Sequence, residues 1–243
     1  MRPPFEQLAS RETDLGVISL RRRMEPSRRV DVYEVKLDDE FLMSSLFTVA
    51  EEELAHLGLA AVRGDELDVV VGGLGLGYTA RAALDDPRVA SLRVIEHLEE
   101  VIDWHRRDLL PETAGLAADP RTRLVHGDFF TLAAGDDGFD PDRPGARVDV
   151  VLLDIDHSPR NVLAPHHAGF YTGVGLSRLR RHLRDGGVLA VWSDDPPDEE
   201  MLAALREVFA TARAEVVTFP NFYTGEESAN TVYVATAADA VDA

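Results

Sequence analysis

The chain has no cysteine in its 243 residues. That excludes disulfides, thiolate nucleophiles, iron–sulfur clusters and cysteine-ligated zinc. Lysine is nearly missing too: Lys36 is the only one, and the other 24 of the 25 basic residues are arginines. Schiff-base chemistry on a lysine therefore has almost no candidate. With the many alanines, this bias reads as a GC-rich coding preference rather than as function. No run approaches the roughly 20 apolar residues that span a bilayer, so no membrane partner is expected. The first residues, Met1 to Gln7, lack the apolar core of a signal peptide, and a cytoplasmic location is expected. Positive charge is in short supply, with 44 acidic residues against 25 basic ones and a net charge of −19. Such a chain lacks a broad basic face for nucleic acid and suits small-molecule or cationic partners. What is present is 45% apolar residues, enough for a core and incompatible with global disorder.

Along the chain, residues 1–14 are polar and read as a loose start. Residues 15–23, 30–36 and 40–47 read as three strands of a small antiparallel unit, with turn material at Glu25-Pro26-Ser27. In 30–36 apolar and polar residues alternate with period two. Arg21, Arg22, Arg23, Arg28 and Arg29 cluster there, an arrangement that usually marks a solvated face. A helix is predicted over 48–62, with Thr48 as N-cap and Glu51 closing a capping box. From Leu67 onward strands and helices alternate: strands at 68–72, 92–96, 123–126, 148–153 and 188–192, with helices near 78–84, 98–108, after Asp128, 170–183 and 198–211. Gly186-Gly187 is read as the stop of the 170–183 helix. Two closing strands are expected at 214–219 and 231–236. Continuous apolar runs such as Asp68-Val69-Val70-Val71-Gly72 mark strands buried on both faces of a parallel sheet. The predicted architecture is an α/β, doubly wound, mostly parallel sheet, residues 48–243, preceded by a small N-terminal antiparallel β unit, residues 1–47.

Three clusters carry chemistry. Gly72-Gly73-Leu74-Gly75-Leu76-Gly77 ends a strand and opens a helix, where glycines admit a ligand against free N–H groups. Its G-x-G-x-G spacing departs from the dinucleotide G-x-G-x-x-G and points to an adenosylmethionine-type nucleoside. Glu96 closes the next strand, where a carboxylate can hold both ribose hydroxyls. Asp128, in His126-Gly127-Asp128, can accept from an adenine amino group, cap the following helix, or do both. The third cluster, Asp154-Ile155-Asp156-His157, follows the fourth strand of the alternating series. Asp154 can orient or deprotonate a nucleophile, and His157 can serve as base near neutral pH; Asp156 is a candidate substrate contact. Trp192 and Asp194 end the fifth strand on the same edge, and Tyr223 precedes the last strand as a possible aromatic wall; core packing is an equal reading for Trp192. A metal held by Asp154, His157 and the His166-His167 pair is conceivable, but without regular ligand spacing none is expected.

Taken together these residues resemble the spermidine synthase (polyamine aminopropyltransferase) family. The likeness runs from about residue 15 to 236, through Glu52–Leu59, the glycine loop, Asp86–Glu96, His126–Asp128, Val148–Asp154 and Ala229–Tyr233. The resemblance implies ribose recognition by Glu96, adenine recognition by Asp128 and service to an amine nucleophile by Asp154. Two acids of the family pattern are replaced. Its glycine loop reads Gly-Gly-Gly-Asp-Gly-Gly, the Asp recognising the amino group of decarboxylated S-adenosylmethionine, and Gly75 stands there. Its Asp-x-x-Asp-Pro ends here in His157, with the proline displaced to Pro159. The resemblance implies a Rossmann-like class I methyltransferase sandwich for residues 48–243, and on this reading the protein is a transferase using S-adenosylmethionine or its decarboxylated form. Methyl transfer to a small-molecule acceptor, an amine among the candidates, is the first expectation, with Asp154 and His157 catalytic. Aminopropyl transfer to a diamine, with acidity elsewhere replacing the lost Asp, is the alternative. A silent nucleoside-binding relative is the third. A homodimer through the N-terminal strands is expected at the family level.

Overall fold

The computed structural model describes residues 4–13 and 16–239. Part of the expected loose start, residues 1–3 and 14, lies outside the described residues, as does Leu15, the expected first residue of the strand that follows. The rest of that start is not loose: Phe5–Thr13 is strand β1. It pairs antiparallel with β2, Gly16–Glu25, which pairs with β3, Val30–Leu37, and that with β4, Glu40–Ser44. β1 buries no residue fully. It is an edge strand held by its ladder, so it carries no apolar alternation for a sequence reading to detect. The arginine cluster is largely neutralised inside this sheet. Arg21 and Arg23 bond the two oxygens of Glu34 at 2.6 and 2.7 Å, and Arg22 reaches Asp31 at 2.8 Å.

The second sheet has seven strands. β5 (Leu67–Gly72) and β8 (Val148–Leu153) lie side by side at its centre, with β6 (Val89–Glu96) and β7 (Thr122–His126) beyond β5. β9 (Leu183–Ser193), β11 (Glu226–Thr236) and β10 (Thr211–Asn221) lie beyond β8. β5 to β9 are parallel; β10 and β11 run antiparallel at the edge. Alternate residues of the central strands face opposite cores. Val69, Val71, Val150 and Leu152 pack under α1 (Val49–Ala61), α2 (Tyr78–Asp85) and α3 (Glu99–Arg106). Val70, Val151 and Leu153 pack under α4 (Phe129–Ala134), α5 (Gly173–Arg180) and α6 (Glu199–Val208). Burial on both faces explains why these strands read as unbroken apolar runs. Ile18, Leu20, Tyr33 and Val35 of the N-terminal sheet join the first of these cores.

Strand order reverses between β5 and β8, since the chain builds β5–β6–β7 outward and then returns to the other side of β5. Crevices at such reversals, above the carboxyl ends of the strands, receive ligands. One expected boundary moves. Gly186-Gly187 does not stop a helix; α5 has already ended at Arg180. The pair sits inside β9, where the β8–β9 register shifts between Val148 and Val150. The positive φ of Gly186, 70°, suits such a bulge.

Candidate active site

The glycine loop bridges the end of β5 and the start of α2. Gly73 has φ 94°, and a Cβ there would overlap the Asp154 carbonyl oxygen, so only glycine lets β5 and β8 part this closely. The loop is braced by two buried side chains. His105 Nε2 lies 2.9 Å from the Gly75 carbonyl, and Thr113 donates to the Leu76 carbonyl at 2.9 Å. Burial lowers the pKa of His105, which favours the neutral ring with Nε2–H donating. At Gly75 a Cβ would lie 2.6 Å from Met43 Sδ, so β4 reaches over the loop.

Glu96 ends β6. Its two carboxylate oxygens accept from the Leu98 N–H at 2.8 Å and the Leu74 N–H at 3.0 Å, the latter within the glycine loop. Burial pushes its pKa up against the pull of these N–H groups. Asp128 ends the β7 segment and caps α4, accepting from Thr131 N–H at 3.0 Å, while its other oxygen lies 2.8 Å from His166 Nε2. Burial would raise its pKa, but the Thr131 N–H and His166 outweigh that and hold it low.

Asp154 follows β8, its N–H bonded to the Gly72 carbonyl at 2.8 Å. Its Oδ2 accepts from Thr79 Oγ1 at 2.6 Å, and the same hydroxyl lies 3.1 Å from the Glu51 carbonyl. Glu51 stands in the first turn of α1, facing Asp154. Burial, then the charge of Asp154, pushes the Glu51 pKa up to about 8; burial pushes that of Asp154 up to about 6, with Thr79 pulling the other way. The two acids therefore hold a proton between them at neutral pH. Both line a cavity of about 120 Å³ with His157, Trp192, Gly75 and Tyr78. That is well below the roughly 300–1,000 Å³ of a whole cofactor site.

The structure thus brings together Gly75, Gly77, Asp154, His157 and Trp192 around one cavity. Glu96 and Asp128 stand on the same sheet edge at the neighbouring strands β6 and β7. Three expected contacts are placed elsewhere. The Asp156 carboxylate is buried and spent on His167 Nδ1, the Tyr171 hydroxyl and the Leu163 N–H, all at 2.8 Å, and so holds its loop together. The Tyr223 hydroxyl donates to Glu25 Oε2 at 2.6 Å, and its ring packs with Phe47 and Phe222, pinning the β10–β11 hairpin to the N-terminal sheet. Asp194 is exposed, its carboxylate accepts from Asn230 at 2.7 Å, its N–H donates to the His157 carbonyl at 2.7 Å, and its charge bears on Glu51. The His166-His167 pair does not join Asp154 and His157; it lies at Asp128.

Glu51 is the residue sequence reasoning missed, because its place three residues after Thr48 reads as a capping box. No such box forms: Thr48 Oγ1 bonds Glu52 at 2.8 Å and no side chain caps the helix N–H groups. The usable signal was the run Glu51-Glu52-Glu53, more acid than one cap needs. Trp192 Nε1 is buried without a partner, an indole donor left at the cavity wall.

No family model matches the chain. Polyamine aminopropyltransferase 2 of Pseudomonas aeruginosa is 29% identical over 165 residues, covering 64% of this chain and 43% of the relative. The polyamine aminopropyltransferase of Corynebacterium efficiens is 32% identical over 143 residues, covering 58% of this chain and 25% of the relative. The chain thus matches less than half the length of these curated relatives. The crystal structure of spermidine synthase from Thermotoga maritima superposes with a TM-score of 0.69 at 19% identity, covering 95% of this chain and 72% of that one. At that identity the superposition speaks for the fold. Among the described residues no helix is long and apolar enough to cross a membrane.

Proposed function

We propose that this chain, which is similar in sequence to polyamine aminopropyltransferases and in fold to a spermidine synthase of the class I methyltransferase-like type, transfers an aminopropyl group from decarboxylated S-adenosylmethionine to an amine, with a diamine the best fit. The observation that carries this is the Glu51–Asp154 pair beside the glycine loop. A cationic acceptor needs carboxylates, and beside Asp154, where the family's second acid is replaced by His157, the cavity carries Glu51. The methyl transfer expected from the sequence has no such need for paired acids.

The donor fits the other half of the edge. Glu96 would hold the ribose hydroxyls, Asp128 the adenine amino group, and the loop at Gly73–Gly77 the tail. In the reaction the acceptor nitrogen forms a C–N bond to the donor carbon beside the sulfonium. The C–S bond breaks, its electrons return to sulfur, and methylthioadenosine leaves. The acceptor must first lose an ammonium proton, which the Asp154–Glu51 pair takes, and alignment supplies much of the remaining acceleration. His157 and Trp192 wall the acceptor's path.

Methyl transfer from S-adenosylmethionine is the second reading, and Gly75 favours it, since no carboxylate meets the donor's amino group there. Calorimetric titration with both donors separates the two. Tighter binding of the decarboxylated form is expected; tighter binding of S-adenosylmethionine would overturn aminopropyl transfer, and binding of neither by folded protein would favour a silent relative. The division after residue 47 belongs to this proposal, the N-terminal unit supplying Met43 as a wall of the site. So does a homodimer, supported by Phe5, Met24 and Phe41 exposed on that unit and tested by light scattering.

A further inference from the structure

We propose that Asp128, His166 and His167 form a binding site for a borderline divalent cation of the Zn²⁺ type, built so that the metal and the donor's base exclude one another. One ligand atom from each of the three residues lies within 4.8 Å of the other two. The set is two imidazoles and a carboxylate, the donor chemistry of zinc sites that keep an open position. Around a tetrahedral ion at about 2.0–2.1 Å the ligand atoms stand roughly 3.4 Å apart. His166, exposed on the short 3₁₀ turn Pro165–Gly169, has freedom to close that gap.

The second observation is how His167 is held. It is buried, its ring is stacked on Phe130 at 3.9 Å between centroids, and its Nδ1 lies 2.8 Å from Asp156 Oδ1. Asp156 is itself fixed by the Tyr171 hydroxyl and the Leu163 N–H. A carboxylate accepts only, so Nδ1 is the donor and the lone pair of neutral His167 sits on Nε2, available to a metal. This carboxylate–imidazole arrangement is the one that orients metal-ligating histidines. A buried acid behind a buried histidine, beside an exposed histidine already bonded to a carboxylate, is more than a helix cap requires. Asp128 needs one oxygen for the Thr131 N–H and has the other turned toward His166.

The exclusion rests on the proposed role of Asp128 in donor recognition; the metal site itself does not. The test titrates Zn²⁺ by calorimetry into the chelator-treated protein, alone and with a saturating, unreactive adenosyl thioether, methylthioadenosine. One ion per chain is expected. Affinity should fall tenfold or more in His166→Ala, whose ring is exposed and contributes nothing to the core, and in His167→Gln, both checked for native circular dichroism. Asp156→Asn should cost about 10–100-fold, the usual effect of a ligand-orienting partner. No Zn²⁺ binding by the wild-type chain, or unchanged affinity in His166→Ala, overturns the site. Zn²⁺ affinity unmoved by a bound nucleoside overturns the exclusion and leaves the metal site standing. Failure of the nucleoside to bind counts against the transferase reading, while the Zn²⁺ titration in its absence still decides the metal site.

Discussion

The two halves of the sheet edge treat their carboxylates in opposite ways. On the β5–β6–β7 side, Glu96 and Asp128 are each bonded by backbone N–H groups, at 2.8 and 3.0 Å for Glu96 and 3.0 Å for Asp128. On the β8–β9 side, Asp154 has one hydroxyl, that of Thr79, and faces a second acid, Glu51. Backbone donors fix a carboxylate in place and leave its remaining lone pairs to a ligand, which is a recognition device. Two acids that must share a proton respond to whatever cation arrives, which is a device for moving protons. Aminopropyl transfer needs both, one for the nucleoside and one for the ammonium group that must become a nucleophile.

The difference can be broken first at Asp154. Asp154→Asn is expected to lower turnover by about 10²–10⁴, the range of a lost general base, with donor affinity nearly unchanged; steady-state kinetics beside calorimetry would show the split. If donor affinity fell as far as turnover, the two halves would not be separate. Glu96→Ala should do the reverse. Loss of charge-assisted bonds worth about 1.5–3 kcal/mol weakens donor binding roughly 10–100-fold, read by the same titration, while native circular dichroism is kept.

A smaller effect sharpens the proton-holding half. The Glu51 pKa stands above its ordinary value, about 8 against 4.5, so the folded protein binds more protons than the unfolded one between those values. Stability should therefore fall as pH rises from about 4.5 to 8, by at most about 1.4 kcal/mol per pH unit for one proton. Glu51→Gln should flatten that slope in thermal melts taken across the range, and a slope unchanged in the variant would place the proton elsewhere. Asp128 has the opposite sign: its lowered pKa contributes stability present at neutral pH and lost on acidification. The smallest effect is expected at Tyr223. Tyr223→Phe removes the bond to Glu25 and should cost about 1 kcal/mol in denaturant unfolding. Donor affinity should stay as it was, because this hydroxyl pins a hairpin outside the cavity.

Much of this was legible in the amino-acid sequence. The central strands β5 and β8 announce themselves because burial on both faces demands unbroken apolar runs; Asp154 directly follows such a run, Glu96 ends β6, and Asp128 stands two residues past β7. What escaped depends on three-dimensional neighbours. β1 has no buried face and hence no pattern. Asp156 sits two residues from Asp154 and looks equivalent, yet the chain turns it inward to Tyr171 and His167. Glu51 is about a hundred residues from its partner Asp154, and local capping rules account for it too readily. Tyr223 precedes the last strand as expected, but the N-terminal sheet claims its hydroxyl.

The nucleoside product decides the central claim, because the two transfers break different bonds to the same sulfur. The chain would be incubated with an excess of a linear diamine and, in parallel, with S-adenosylmethionine and its decarboxylated form, and the nucleosides identified by mass spectrometry. Methylthioadenosine from the decarboxylated donor, dependent on the diamine and suppressed in Asp154→Asn, is the expected result. S-adenosylhomocysteine from S-adenosylmethionine, with no methylthioadenosine from the other donor, would contradict aminopropyl transfer.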